Sequence, residues 1–329
     1  VKTIRWGILG YARIAELSVM PAIVRATGAE LFAVASRDPA KLAACQAKFG
    51  VQRLHSSYEA LLADPEVDAV YVPLPNSLHC EWTLRAAEAG KHVLCEKPMG
   101  LNAAQCREMT AACTRHGVKL MEAFMYRYTE RTRLVLDIID SGILGEIRFI
   151  EASFRFLLDR PESIKLQEGL GGGSLYDVGC YPVNFAGMIV DRAARARPGS
   201  IKPVSVAAKA TRVGGIDQLF SGILQYESGI IAAVNSGFNA HKRVFAEVVG
   251  TQGVLEVPDP FFDNAGTLTI TRGEERLERA VPVSDRYRAE VEDFGRAIRE
   301  DSDPLFPLAE TFRNAEVIDQ LLACVQTKN

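Results

Sequence analysis

Gly10, Ala12 and Ala15 stand in the run Gly7-Ile8-Leu9-Gly10-Tyr11-Ala12-Arg13-Ile14-Ala15, three small residues spaced as in a phosphate-cradling turn. In a G-x-G-x-x-G/A turn between a strand and a helix, small side chains let backbone N–H groups reach a pyrophosphate. Alanine at the second place loosens the match, and so short a run could equally be a plain strand–helix turn. Its place at the first such junction favours nucleotide binding, because a helix N-terminus attracts anions. Gly10, Ala12, Arg13 and Ile14 are the expected contacts. Further on, where an acidic residue would hold a ribose 2′-hydroxyl, the chain has Ala35-Ser36-Arg37-Asp38 and then Lys41. A hydroxyl and a guanidinium suit a 2′-phosphate, so Ser36, Arg37 and Lys41 predict NADP over NAD. Asp38 falls one or two positions late and fits a cap for a helix opening at Pro39.

The elements that must position these residues alternate along the first 120 or so positions. Apolar runs at 4–9, 30–36, 69–72, 92–95 and 119–123 read as buried strands. Helical patterns at 14–26, 39–49, 57–62, 77–89 and 103–116 separate them. Such alternation predicts β-α-β units and a parallel sheet covered on both faces, an α/β Rossmann domain over residues 1–123. Asn102 is an expected cap, and Gly50, Gly90 and Gly117 are expected helix ends. Beyond Glu122 a long helix at 128–139 leads into strand patterns at 148–157, 204–213, 219–226, 230–238 and 243–250. A helix at 175–189 interrupts them, and a helical pair at 287–300 and 310–326 closes the chain. Residues 124–329 therefore read as an α+β domain with a large, open, mostly antiparallel sheet, and the last helices are expected to return to the first domain.

Composition excludes several function classes. The 38 Lys and Arg against 41 Asp and Glu give a net charge of −3, without the basic excess of a nucleic-acid binder. No apolar run approaches the ~20 residues of a membrane helix, and the N-terminus lacks a signal-peptide shape, so a cytoplasmic location is expected. Seven cysteines, an odd count with no C-x-x-C, argue against a disulfide framework or zinc cage. The five scattered histidines argue against a metal site.

Two further motifs are more specific. Glu96-Lys97-Pro98 follows the fourth strand, and Gly171-Gly172-Gly173-Ser174-Leu175-Tyr176-Asp177-Val178-Gly179-Cys180-Tyr181-Pro182-Val183-Asn184 lies in the second half. With Pro73-Leu74-Pro75-Asn76-Ser77-Leu78-His79 after the third strand, the chain resembles the Gfo/Idh/MocA oxidoreductases over nearly its whole length. Many members have His four residues after the motif Asp, where this chain has Tyr181, so the resemblance is to the tyrosine branch. That branch includes glucose–fructose oxidoreductase and dimeric dihydrodiol dehydrogenase. The resemblance implies Tyr181 as acid/base, Lys97 as the partner that stabilises its phenolate, and Asp177 one helical turn away to hold a substrate hydroxyl or balance the lysine. Proton exchange at an alcohol or ketone oxygen requires such a donor, and a neighbouring ammonium lowers a phenol's pKa. The resemblance also implies a cis Lys97–Pro98 bond, and cofactor contacts from Pro73, Leu74, Asn76, His79, Glu96 and Lys97. Each residue taken singly could instead be structural, Tyr181 as a core aromatic and Lys97 as a surface residue.

For substrate binding, Arg127 and Tyr128 lie where the chain passes to the second domain; Arg127 either contacts a substrate phosphate or hydroxyl or pairs with a carboxylate for structure. Asp177, Tyr181 and Asn184 join them, with Phe156 and His241 as lesser candidates. Family substrates are mostly sugars, inositols and polyols. The expected function is an NADP-dependent oxidoreductase acting on a sugar-like alcohol or ketone, with no metal. One alternative is a ketoreductase of a nucleotide-linked sugar, and another is a cofactor-binding sensor without turnover. Family members pair through the open sheet, so a homodimer or homotetramer is expected.

Overall fold

The computed structural model describes residues 2–326. They form two compact units. The first takes the chain up to Gly100, Ala104–Met125 and Asp285–Leu308; the second takes Leu101–Ala103, Tyr126–Ser284 and the chain from Ala309.

The first unit is built on six strands: β1 (Ile4–Leu9), β2 (Ala29–Ala35), β3 (Arg53–His55), β4 (Ala69–Val72), β5 (His92–Glu96) and β6 (Leu120–Ala123). They pair in parallel in the order β3-β2-β1-β4-β5-β6. Apolar runs such as Ala-Val-Tyr-Val in β4 are buried along their whole length, as a sheet covered on both faces requires. Crossovers are made by α1 (Met20–Arg25), α2 (Pro39–Phe49), α3 (Tyr58–Leu62), α4 (His79–Glu88) and α5 (Ala103–Arg115). Asp38 caps α2 by accepting the Ala40 N–H at 2.9 Å, and Gly50 ends it in the left-handed conformation.

The second unit opens with α6 (Glu130–Asp140) and β7 (Ile147–Leu157), followed by α7 (Cys180–Ala193). Seven more strands follow: β8 (Ser205–Val213), β9 (Ile216–Gln225), β10 (Ile231–Gly237), β11 (Asn239–Gly250), β12 (Val254–Pro258), β13 (Gly266–Arg272) and β14 (Glu275–Val281). Their order is β14-β13-β12-β11-β7-β10-β9-β8, antiparallel except where β7 meets β10. α7 packs on β7 and β10, while alternate residues of β8 to β10 face outward.

The last two helices part company. α8 (Arg286–Glu300) belongs to the first unit and α9 (Leu308–Gln326) to the second, so a single cut at 123/124 does not describe the chain. The reason is specific packing. Phe294 lies 5.9 Å from Trp6 of β1, Asp285 takes two bonds from Arg25, and Glu292 accepts the Thr27 N–H.

Candidate active site

In the first unit the predicted cofactor residues gather at the carboxyl ends of the parallel strands, beside the β1/β4 reversal where open α/β sheets bind ligands. Gly10 follows β1 with φ +100, a conformation that favours glycine, and an added Cβ would lie 3.1 Å from Tyr58 Oη. Glycine therefore keeps this turn bare. A π-helical turn, Ala15–Val19, carries it into α1, with Ala12 and Ile14 half-buried and Arg13 exposed. After β2, Ser36 is buried and its Oγ accepts the Asp38 N–H at 3.2 Å. Arg37 and Lys41 stand exposed beside it. A small bare turn next to a hydroxyl and two exposed cations fits a dinucleotide with an anionic ribose.

Lys97 is half-buried beyond β5, and its bond to Pro98 is cis. Its N–H reaches Glu96 Oε2 at 3.2 Å, while Tyr71 donates to Glu96 Oε1 at 2.5 Å. Behind them Glu290 of α8 is wholly buried. Burial first, then the Glu96 charge, pushes its carboxyl well above the ordinary range. Pro73 is buried, and Leu74 and Asn76 are half-buried, on the loop after β4.

His79 departs from its expected role as a cofactor contact. It is fully buried, with Nδ1 2.9 Å from Pro98 O and Nε2 2.9 Å from Leu74 O. Burial holds its pKa below the ordinary range, against the pull of those carbonyls. The ring lies between the two carbonyls, and its single N–H in the neutral form bonds one of them, tying His79 to the loop after β4 or to the one after β5.

In the second unit Asp177 and Tyr181 lie one turn apart. Asp177 sits in a π-helical turn, Leu175–Gly179, that runs into α7. Tyr181 is 3% exposed, inside a ring cluster with centroids 5.3 Å from Phe261, 5.6 Å from Phe154 and 5.9 Å from Tyr126. Packing of this kind fixes a phenol's direction. Lys165 bonds Asp177 Oδ2 at 2.7 Å. Asp217 of β9, buried, accepts Ser174 Oγ at 2.6 Å and the Leu175 N–H at 2.7 Å, a carboxylate at the start of the helix. Burial raises its pKa, with the two bonds opposing. Gly173 in front of it has φ +125, a second position that only glycine adopts readily.

Two substrate candidates prove to be internal. Asn184 is wholly buried and accepts the Tyr126 hydroxyl at 2.5 Å. Arg127 forms a buried ion pair with Glu310, which Arg313 joins from 3.5 Å, and Arg313 also pairs with Asp191. Arg127 also bonds Asn184, whose partner Tyr126 is one of the rings around Tyr181. Tyr128 and Phe156 are half-buried, and His241 is exposed on β11. Sequence reading missed Lys165, Asp217 and Glu290. Only the glycine run hinted at the first two, since crowding from outside the motif is what demands those glycines. Among the described residues no group of three or more His, Cys, Asp or Glu is placed to hold a metal, and no helix is long and apolar enough to cross a membrane.

Comparison with known proteins places these features in context. Residues 4–124 match the family described as "Oxidoreductase family, NAD-binding Rossmann fold", and residues 132–256 match the "GFO/IDH/MocA C-terminal domain". D-xylose 1-dehydrogenase (NADP(+)) 2 of Haloferax volcanii is 38% identical over 327 residues, covering 98% of this chain and 97% of that protein. The dTDP-3,4-didehydro-2,6-dideoxy-α-D-glucose 3-reductase of Saccharopolyspora spinosa is 34% identical, covering 91% and 88%. A crystal structure of a 3-ketoreductase from Actinomadura kijaniata with NADP and TDP-benzene superposes with a TM-score of 0.91 at 30% identity, covering 98% of each chain.

Proposed function

The chain belongs to the Gfo/Idh/MocA oxidoreductase family, and from that premise we propose that it transfers a hydride between NADP and a sugar or polyol-like alcohol or ketone. The observation that carries this reading is the joint presence of an exposed Arg37 beside Ser36 in the first unit and the Asp177–Tyr181 helix turn in the second. Ser36, Arg37 and Lys41 take the 2′-phosphate, and the bare Gly10 turn admits the pyrophosphate. When bound, the nicotinamide supplies the hydride acceptor or donor.

The remaining chemistry falls to the protein. In the oxidative direction the substrate carbon gives up its hydride and the hydroxyl its proton, which passes to Tyr181 Oη; reduction returns the proton to the alkoxide. Lys97 stabilises the phenolate form between these events. Asp177 accepts a bond from a neighbouring substrate hydroxyl. Asn184 and Arg127 act from behind, holding Tyr126 against Tyr181.

A second reading, reduction of a keto group on a nucleotide-linked sugar, draws support from the TDP-benzene complex of the Actinomadura kijaniata enzyme. Absorbance of reduced nicotinamide separates the two. Turnover of free aldoses such as D-xylose supports the first, and turnover confined to a dTDP-linked keto-sugar supports the second. Absence of both, with NADPH still bound, identifies a sensor. The outward face of the large sheet, with Ile223 and Ile231 exposed, is proposed to pair copies of the chain. Seven cysteines with no disulfide among the described residues suit a reducing cytoplasm.

A further inference from the structure

Between β7 and the glycine run the chain makes a loop of two short 3-10 turns, Ile164–Leu166 and Glu168–Leu170. This loop is stitched to the motif behind it. Gly173 N–H donates to Lys165 O at 2.9 Å and Gly172 N–H to Gln167 O at 3.0 Å. A Cβ on Gly172 would come within 2.6 Å of Lys165 O, so the loop lies directly on the motif. The stitching delivers the Lys165 side chain to one place. Its Nζ sits 2.7 Å from Asp177 Oδ2 and 5.5 Å from the centre of the Phe156 ring.

Both members of this pair stay partly in solvent, with side chains 32% and 16% exposed, where an ion pair contributes little to stability. Its position says more. Phe156 touches Phe154 with centroids 6.3 Å apart, Phe154 lies 5.6 Å from Tyr181, and Asp177 is one turn before Tyr181. A cation, a carboxylate and an aromatic face are thus gathered on one flank of the proposed acid/base. Adjacent hydroxyls of a sugar match that set. An ammonium donates to one oxygen, a carboxylate accepts from the next hydroxyl, and the C–H face of the ring lies on the aromatic.

We propose that Lys165 and Asp177, over Phe156, grip two adjacent hydroxyls of a sugar or cyclic polyol, and that Lys165 is a specificity-determining residue. This rests on the activity proposed above and narrows it to substrates that keep a vicinal diol, against deoxy sugars.

The test compares wild type, Lys165→Met and Lys165→Arg. Kinetics use D-xylose, D-glucose and 2- and 3-deoxy-D-glucose, and quenching of bound NADPH fluorescence reports D-xylose or myo-inositol binding without turnover. Wild type is expected to prefer D-glucose over at least one deoxy analogue by on the order of 100-fold in kcat/KM. Lys165→Met should raise KM for the diol sugars about tenfold or more, with little change in kcat, and cut that preference by the same factor. Lys165→Arg should recover most of both, and NADPH affinity should be the same in all three. A Lys165→Met protein that keeps its preference and its diol binding overturns the grip, as does a wild type that binds neither D-xylose nor myo-inositol. Diol binding that depends on Lys165 in a protein that oxidises no aldose supports the grip and defeats the proposed activity alone.

Discussion

Arg37 is the residue proposed to carry the choice of cofactor. It stands exposed after β2, beside the buried Ser36, where an NAD enzyme of this fold would present a carboxylate. A guanidinium and a dianionic phosphate form charge-assisted bonds that a ribose hydroxyl cannot match. Arg37→Ala should therefore weaken NADPH binding by about 10- to 100-fold and leave NADH binding nearly unchanged, as read by fluorescence titration. Equal losses for both cofactors would contradict the assignment. At this scale Arg37 was proposed from its type and its place after β2, whereas Lys97, Asp177 and Tyr181 were proposed from the resemblance of the motifs that hold them. What identity could not convey was a partner distant in sequence. His79 was expected as a cofactor contact, but its ring is fully buried between the Leu74 and Pro98 carbonyls. Lys165 was not singled out at all, and its ammonium lies on Asp177, 12 positions along the chain.

Elements show the same division. β1 and β4 were legible to the residue because buried parallel strands are unbroken apolar runs. β3 was missed because it is a three-residue edge strand. β13 and β14 were missed because threonine and charge dominate them: Glu275, Arg276, Glu278 and Arg279 are exposed on the sheet's last strand, as an edge protected against pairing would be. The return of the last helices to the first domain was expected and holds for α8, where Trp6 and Phe294 meet across nearly the whole chain, but not for α9. One consequence of that placement is measurable. An unfolded glutamate titrates near 4.5, whereas folded Glu290 on α8 is held neutral by burial and by Glu96, with a raised pKa. Its contribution is therefore fully present below about pH 4.5 and is lost as pH climbs towards the folded value. Glu290→Gln cannot titrate. The gap in melting temperature between variant and wild type should widen in the variant's favour, by several degrees, from about pH 5 to about pH 8. A gap independent of pH would show that Glu290 is not held neutral in the fold.

At the scale of the whole molecule the proposed roles fall in different units, cofactor binding at the ends of the parallel sheet and sugar binding at the start of α7. The large sheet leaves a face with Ile223 opposite Ala233 and Ile231 opposite Gln225, directed outward. Sedimentation velocity should find a dimer or tetramer that Ile231→Lys dissociates; a wild-type monomer at micromolar concentration would remove that surface from the account. Proton exchange at Tyr181 is read out by NADP-dependent turnover of D-xylose and other free aldoses with wild type and Tyr181→Phe. The account predicts a kcat lowered by about 10²- to 10⁴-fold in the variant, with NADPH affinity unchanged, because only the proton-exchanging hydroxyl is gone. A Tyr181→Phe enzyme that turns over aldoses at the wild-type rate would contradict it.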